Sequence, residues 1–169
     1  MQTEHLETEL LTRLMRKVGF YSWSITHNII TADKMFAEIY EIDEVDLARG
    51  VSVEYILSLI VEEDRARLAE RIHDVLLGGP PAVSGYRILC PSGQYKSLLS
   101  IGSCSRDEDG IPAIYSGIVM TAQDTEAEVN EVQLQKHISA AIELAQKSGN
   151  ALTERYLNSA LRSVAKSDQ

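Results

Sequence analysis

The chain has 169 residues, 44% of them hydrophobic, enough for one ordinary domain with its own core plus attached helices and too apolar for a largely disordered protein. A formal net charge of −9 argues against nucleic acid as a partner, because phosphate binding needs clustered Lys and Arg. No apolar run of roughly eighteen residues occurs, so no membrane span is expected; the acidic start from Met1 to Glu9 is unlike a signal peptide, and a cytoplasmic protein is the expectation.

Residues 1–18 are expected to form an N-terminal amphipathic helix. Leu6, Leu10, Leu11, Leu14 and Val18 recur at three- and four-residue spacing. Glu4, Glu7 and Glu9 lead and Arg13, Arg16 and Lys17 follow, which suits the helix dipole at both ends, and Gly19 stops the run. An isolated helix of this length is marginal in water, so its leucine stripe must pack on something. A homodimer interface is the expected use of these five residues.

Residues 19–123 read as the central domain. Phe20 to Thr26 and Asn28 to Thr31 suggest two short strands about a His27-Asn28 turn. Asp33 then caps a helix holding Met35, Phe36, Ile39 and Tyr40. An acidic loop from Glu41 to Gly50 leads to a short helix with Tyr55, Ile56, Leu59 and Ile60. Glu62 or Glu63 opens a longer helix with Leu68, Ile72, Val75 and Leu76 on its apolar side, and Gly78-Gly79-Pro80-Pro81 ends it. From Gly85 to Ile118, three strand-like runs joined at Pro91-Ser92-Gly93 and Asp107-Glu108-Asp109-Gly110 make an antiparallel meander. These strands are apolar on both faces. The short helices are expected to cover one face, and the N-terminal helix or a second subunit the other.

Residues 124–169 read as a helical hairpin. Val129, Val132, Leu134, Ile138, Ala141, Ile142 and Ala145 keep helical period, Ser148-Gly149-Asn150 breaks it, and Leu152, Tyr156, Leu157, Ala160, Leu161 and Val164 form a second stripe. Ile138, Ile142, Tyr156 and Leu161 are the candidates for docking a kinase or regulator protein.

Catalytic chemistry finds no support. The sequence has no nucleophile elbow, P-loop, dinucleotide glycine pattern or paired-carboxylate arrangement. His5, His27 and His137 share no metal-ligand spacing with one another or with Cys90 and Cys104, so no metal site is expected. His137 precedes Ile138 and reads as a helix-surface residue; Cys90 and Cys104 read as small unpaired hydrophobes.

The order of helix, two strands, a group of helices and three long strands resembles the PAS domain, a sensory fold. Local residues carry the resemblance: Trp23 in the first strand, Glu63-Asp64-Arg65 at the start of the long helix, Tyr86-Arg87-Ile88 before the Pro91-Ser92-Gly93 hairpin, and Asp109-Gly110 with Ser116-Gly117-Ile118 at the end. The resemblance spans about Gly19 to Thr121. The chain departs from the family pattern at Lys96-Ser97, where Arg-Trp is common, and at its exit, Thr121-Ala122-Gln123, where Asp-Ile-Thr is usual.

What the resemblance implies is an α+β fold: a five-stranded antiparallel sheet with short helices on one face. The implied role is a non-enzymatic sensory module working through homodimerisation and through ligand- or partner-dependent packing. A ligand cavity between sheet and helices would be lined by Trp23, Phe36, Tyr40, Ile56, Ile60, Leu68 and Ile72, with Tyr86, Leu98 and Ile118 as sheet candidates whose facing is open. No cofactor is firmly implied. Haem through His73, which lies beside the apolar stripe of the long helix, or a flavin would make the chain a cofactor-binding sensor instead, and it would also suit the sensor fragment of a longer histidine kinase.

Overall fold

Capping and apolar periodicity set the order of elements in the structure, a computed structural model that describes residues 2–165, apart from the side chains of 2–4, 6, 7, 125, 127, 128 and 165. In chain order these are α1 (Gln2–Arg16), β1 (Gly19–Ser24), β2 (Ile29–Ala32), α2 (Lys34–Tyr40), α3 (Glu44–Arg49), β3 (Val51–Ser52), α4 (Val53–Leu59), α5 (Glu62–Leu76), β4 (Ala82–Leu89), β5 (Tyr95–Arg106), β6 (Pro112–Thr121), α6 (Ala122–Lys147) and α7 (Ala151–Ala165). They divide into two units, residues 17–124 and residues 1–16 with 125–169.

In residues 17–124 one sheet has the strand order β3-β2-β1-β6-β5-β4, every neighbouring pair antiparallel. The two-residue β3 is a sixth strand beyond the five expected. The acidic segment from Glu41 to Gly50 is not a loop, because α3 lies within it. The Asp43 carboxylate accepts the amides of Val45 and Asp46 at 2.9 and 3.0 Å, so part of the acidity is a helix cap and first turn, and Leu47 is wholly buried. Asp33 caps α2 as its position predicts, accepting the Phe36 amide at 2.9 Å.

The two faces of the meander, indistinguishable by composition, separate in the structure. Toward the helices point Tyr86 and Ile88 of β4, Leu98 and Ser100 of β5, Tyr115 and Val119 of β6, all buried. The opposite face carries a cross-strand row, Val83–Ile101–Ile118–Phe20. Val83, Ile101 and Phe20 keep 52%, 38% and 44% of their surface exposed.

The outer edge of β4 is closed by side chains of α5. Arg71 donates to the Val83 carbonyl at 2.6 Å and Arg67 to the Gly85 carbonyl at 3.0 Å. Asp64 accepts the Arg87 amide at 2.9 Å, and the Val61 amide reaches the Arg87 carbonyl at 3.0 Å. Those backbone groups, which a bare edge strand would offer to another chain, are thereby satisfied.

The second unit holds α1, most of α6, and α7. Arg13 of α1 binds Glu9 at 2.8 Å and Glu131 of α6 at 3.0 Å. Gly149, at φ +67°, turns the chain between α6 and α7, and Asn150 caps α7 by accepting the Thr153 amide at 3.2 Å. On α1, Leu11 is exposed and Leu10 and Leu14 are half-buried, while the Leu6 side chain lies outside the described residues. Val18 is a correction to the expected interface: at 4% exposure it has no surface to give a second subunit.

Candidate functional site

Between the sheet and helices α2, α4 and α5 lies a cavity of about 280 Å³. Its walls include Trp23, Phe36, Tyr40, Ile56, Ile60, Leu68, Ile72 and Tyr86, eight of the ten residues expected there. Tyr21, Tyr115, Ser100, Ile30, Val53, Leu57, Ala69, His73 and Leu76 complete it. The exposed wall residues, Ala69 and His73, both belong to α5 and mark the side nearest solvent.

Two expected residues are elsewhere. Ile118 points to the opposite face of the sheet, in register with Phe20 and Ile101, because its neighbours Gly117 and Val119 take the inward positions. Leu98 faces inward but is packed within the core cluster, 2% exposed, outside the cavity wall. Tyr21 and Tyr115 join the wall without having been expected there, although a period of two puts Tyr21 on the same side of β1 as Trp23.

The cavity floor rests on a glycine pair. Gly102 of β5 and Gly117 of β6 are directly opposed, and a β-carbon on Gly117 would run into the Ile101 carbonyl oxygen and lie 2.9 Å from the Gly102 Cα. The Tyr115 ring lies over Gly102 and the Tyr21 hydroxyl over Gly117. The two tyrosine rings are within 20° of parallel, with centroids 6.5 Å apart. Trp23 meets Tyr115 at 6.1 Å, and Phe36 stacks on Tyr40 at 4.3 Å.

The polar atoms inside are mostly hydroxyls. Those of Tyr40 and Tyr86 share a hydrogen bond of 2.7 Å. Burial raises both phenols; the Tyr86 shift is partly offset by the hydroxyls of Tyr40 and Ser100. Burial likewise raises Tyr21 and Tyr115, and the neighbouring phenols add to it. All four are neutral at physiological pH. The Trp23 indole N–H donates to Asn28 Oδ1 at 3.2 Å, and the Asn28 amide donates on to Glu54 of α4.

Outside the cavity, the Glu63-Asp64-Arg65 element joins α5 to its surroundings. Asp64, 7% exposed, accepts from Arg87 Nε at 2.9 Å as well as from the Arg87 amide, and Arg67 lies at 3.2 Å. The Arg87 guanidinium, then its amide, hold the Asp64 carboxyl below its usual range. Arg65 donates to the carbonyls of Ile60 and Ser58 at 2.8 and 3.1 Å, taking up the C-terminal end of α4.

The wall offers little to hold haem or a flavin by specific bonds, being almost wholly apolar and aromatic. It has a single histidine, His73, exposed at the rim, and no cysteine. Among the described residues no cluster of His, Cys, Asp or Glu is arranged to hold a metal ion, and no helix is long and apolar enough to cross a membrane.

Of the residues expected on the C-terminal hairpin, Tyr156 is exposed, Ile138 and Leu161 are half-buried and Ile142 is buried. Leu134, Leu144 and Leu152 of this region are exposed as well.

The PAS fold family (PAS_3) matches residues 29–119. Among solved structures, a sensory box histidine kinase/response regulator from Burkholderia thailandensis is 18% identical, with a TM-score of 0.58, over 75% of this chain and 93% of that one. The N-terminal domain of a diguanylate cyclase with a PAS/PAC sensor from Marinobacter aquaeolei is 15% identical, with a TM-score of 0.55, over 62% and 94%. The PAS domain of a Colwellia psychrerythraea protein is 14% identical, with a TM-score of 0.53, over 69% and 95%. These likenesses are of fold. No curated protein matches the sequence.

Proposed function

The chain belongs to the PAS fold family, and from that premise we propose that it is a cytoplasmic sensory module that catalyses no reaction and signals by a change in packing when a small molecule occupies its cavity. The observation that carries the reading is the cavity itself: apolar and aromatic walls with a few convergent hydroxyls are the usual make-up of a ligand pocket. A signal requires that the ligand bind one arrangement of the protein more tightly than another. Three helices supply cavity walls, and α4 is tied through Glu54 and Asn28 to Trp23, so an occupant that moves the indole also acts on α4.

The output in this reading is homodimerisation through α1, with Leu10, Leu11 and Leu14 at the contact. The exposure of Leu11 and Met15, at 63% and 55%, supports it. The α6–α7 hairpin, with Leu144, Leu152 and Tyr156 exposed, would dock a downstream kinase or regulator. Native mass spectrometry of the purified chain, with light scattering alongside, tests the whole reading. A small molecule retained in the folded protein and a dimer lost in Leu11→Asp are expected. A monomer with no retained ligand, and no response to any ligand supplied, would refute it.

A further inference from the structure

We infer that the occupant of the cavity is a small, neutral, planar aromatic compound bearing a hydrogen-bonding substituent, of the class of phenols and aryl ketones. This rests on the reading of the cavity as a ligand site and specifies its chemistry. Six of the ten aromatic residues in the chain are gathered in its wall: Tyr21, Trp23, Phe36, Tyr40, Tyr86 and Tyr115. A flat molecule fits this wall, because the Tyr21 and Tyr115 rings are near-parallel, with the Tyr115 ring over Gly102 and the Tyr21 hydroxyl over Gly117. Aromatic faces in that position favour an offset-stacked ring over a puckered one.

Polarity narrows the class further. No Lys, Arg, Asp or Glu lines the cavity and its one histidine, His73, is exposed at the rim, so an ion placed deep inside would lose its water without gaining a buried counter-charge. The Tyr40 and Tyr86 hydroxyls already bond to each other, and Ser100 lies beside Tyr86. Those of Tyr21 and Tyr115 have no hydrogen-bond partner among the described residues. A ligand hydroxyl or carbonyl reaching these two phenols would satisfy groups that a plain hydrocarbon would leave unpaired. The volume of about 280 Å³ has room for such a ring with its substituents.

Isothermal titration of the full chain with four probes of similar size tests this: p-cresol, toluene, 4-methylcyclohexanol and 4-methylbenzoate. The only tryptophan of the chain is in the wall, so its fluorescence reports occupancy independently. The expected result is saturable p-cresol binding about tenfold tighter than toluene, the worth of one good hydrogen bond, with 4-methylbenzoate excluded and 4-methylcyclohexanol weak. Tyr21→Phe/Tyr115→Phe keeps both rings and should reduce p-cresol to the affinity of toluene while leaving toluene unchanged. If the benzoate or the cyclohexanol binds as well as p-cresol, or the double variant binds p-cresol undiminished, the assigned class is wrong and the cavity remains a ligand site. If none of the four binds to a folded chain, the class and the ligand site fall together.

Discussion

The Tyr40 hydroxyl of α2 lies 2.7 Å from the Tyr86 hydroxyl of β4, joining the helical layer to the sheet by a hydrogen bond between two buried phenols. Either oxygen can be the donor. The value of such a pair lies less in the bond than in what its absence leaves behind. A lone buried hydroxyl loses its water and gains nothing, at a cost of about 1–3 kcal/mol. Tyr86→Phe, which strands the Tyr40 hydroxyl, should therefore destabilise the domain by about that amount, and Tyr40→Phe by less, because Ser100 stays beside the Tyr86 hydroxyl. The double variant, with no stranded oxygen, should be more stable than the sum of the two predicts. Urea denaturation of the three variants and the parent, read as a double-mutant cycle, measures this. Strict additivity would mean the hydroxyls do not depend on each other.

Alkaline pH acts on the same layer. An unfolded tyrosine gives up its proton near pH 10. Tyr21, Tyr40, Tyr86 and Tyr115 are all raised in the folded protein, chiefly by burial. Below pH 10 both states hold these protons and stability is unaffected by them. Above it the unfolded state releases them first, so stability falls as the pH rises further. Tyrosinate absorbance and circular dichroism recorded on one alkaline titration should show part of the ionisation coinciding with loss of structure. Complete ionisation of all seven tyrosines in a still folded chain would contradict the burial of these four.

Much of this layer is legible in the residues, for a physical reason. Helical period selects Phe36, Tyr40, Ile56, Leu68 and Ile72 as apolar faces, and any helix of this kind must turn that face inward. The three long strands carry no such mark. Ile118 and Val119 are equally apolar, and only the register of β6 against β1 and β5 decides that Val119 is buried and Ile118 stands opposite Phe20 and Ile101. A one-residue slip would exchange them. The helix α3 was hidden for a different reason. Asp43, Glu44 and Asp46 look like a solvated run by charge, yet their positions are those of a cap and a first turn. The glycine pair under Tyr21 and Tyr115 depends on a pairing 15 residues apart in sequence, Gly102 with Gly117, which no local pattern reveals.

Asp64 gives the fold an acid limit. An unfolded aspartate takes up its proton near pH 4, whereas the folded one, facing the Arg87 guanidinium and amide, holds out to lower pH. The stability tied to this carboxylate is complete above about pH 4 and is lost as the pH falls through the lower folded value. Asp64→Asn should be less stable than the parent at neutral pH, and the gap should shrink on going to about pH 3. Thermal melting of both proteins across that range measures it. A gap that is the same at both ends would show that the charge of Asp64 contributes nothing.

The arginines of α5 protect the edge of the sheet by a match of repeats. Arg67 and Arg71 are four residues apart on a helix, an axial step of about 6 Å. Their acceptors, the carbonyls of Gly85 and Val83, are two residues apart on a strand, a step of about 6.6 Å. The helix runs antiparallel to β4, so successive side chains meet successive outward-facing carbonyls in reverse order, with Asp64 taking the next amide at Arg87. Both arginines are exposed, and removing them leaves the core untouched, so Arg67→Ala/Arg71→Ala should change thermal stability only modestly. It should, however, free two carbonyls on a strand that already exposes Val83 and Leu89. Edge strands in that condition pair with other chains. The double variant is expected to aggregate faster than the parent at equal concentration and temperature, with infrared spectra showing added intermolecular β-structure. Unchanged aggregation in a chain that remains folded would show that the edge is protected by something other than these two side chains.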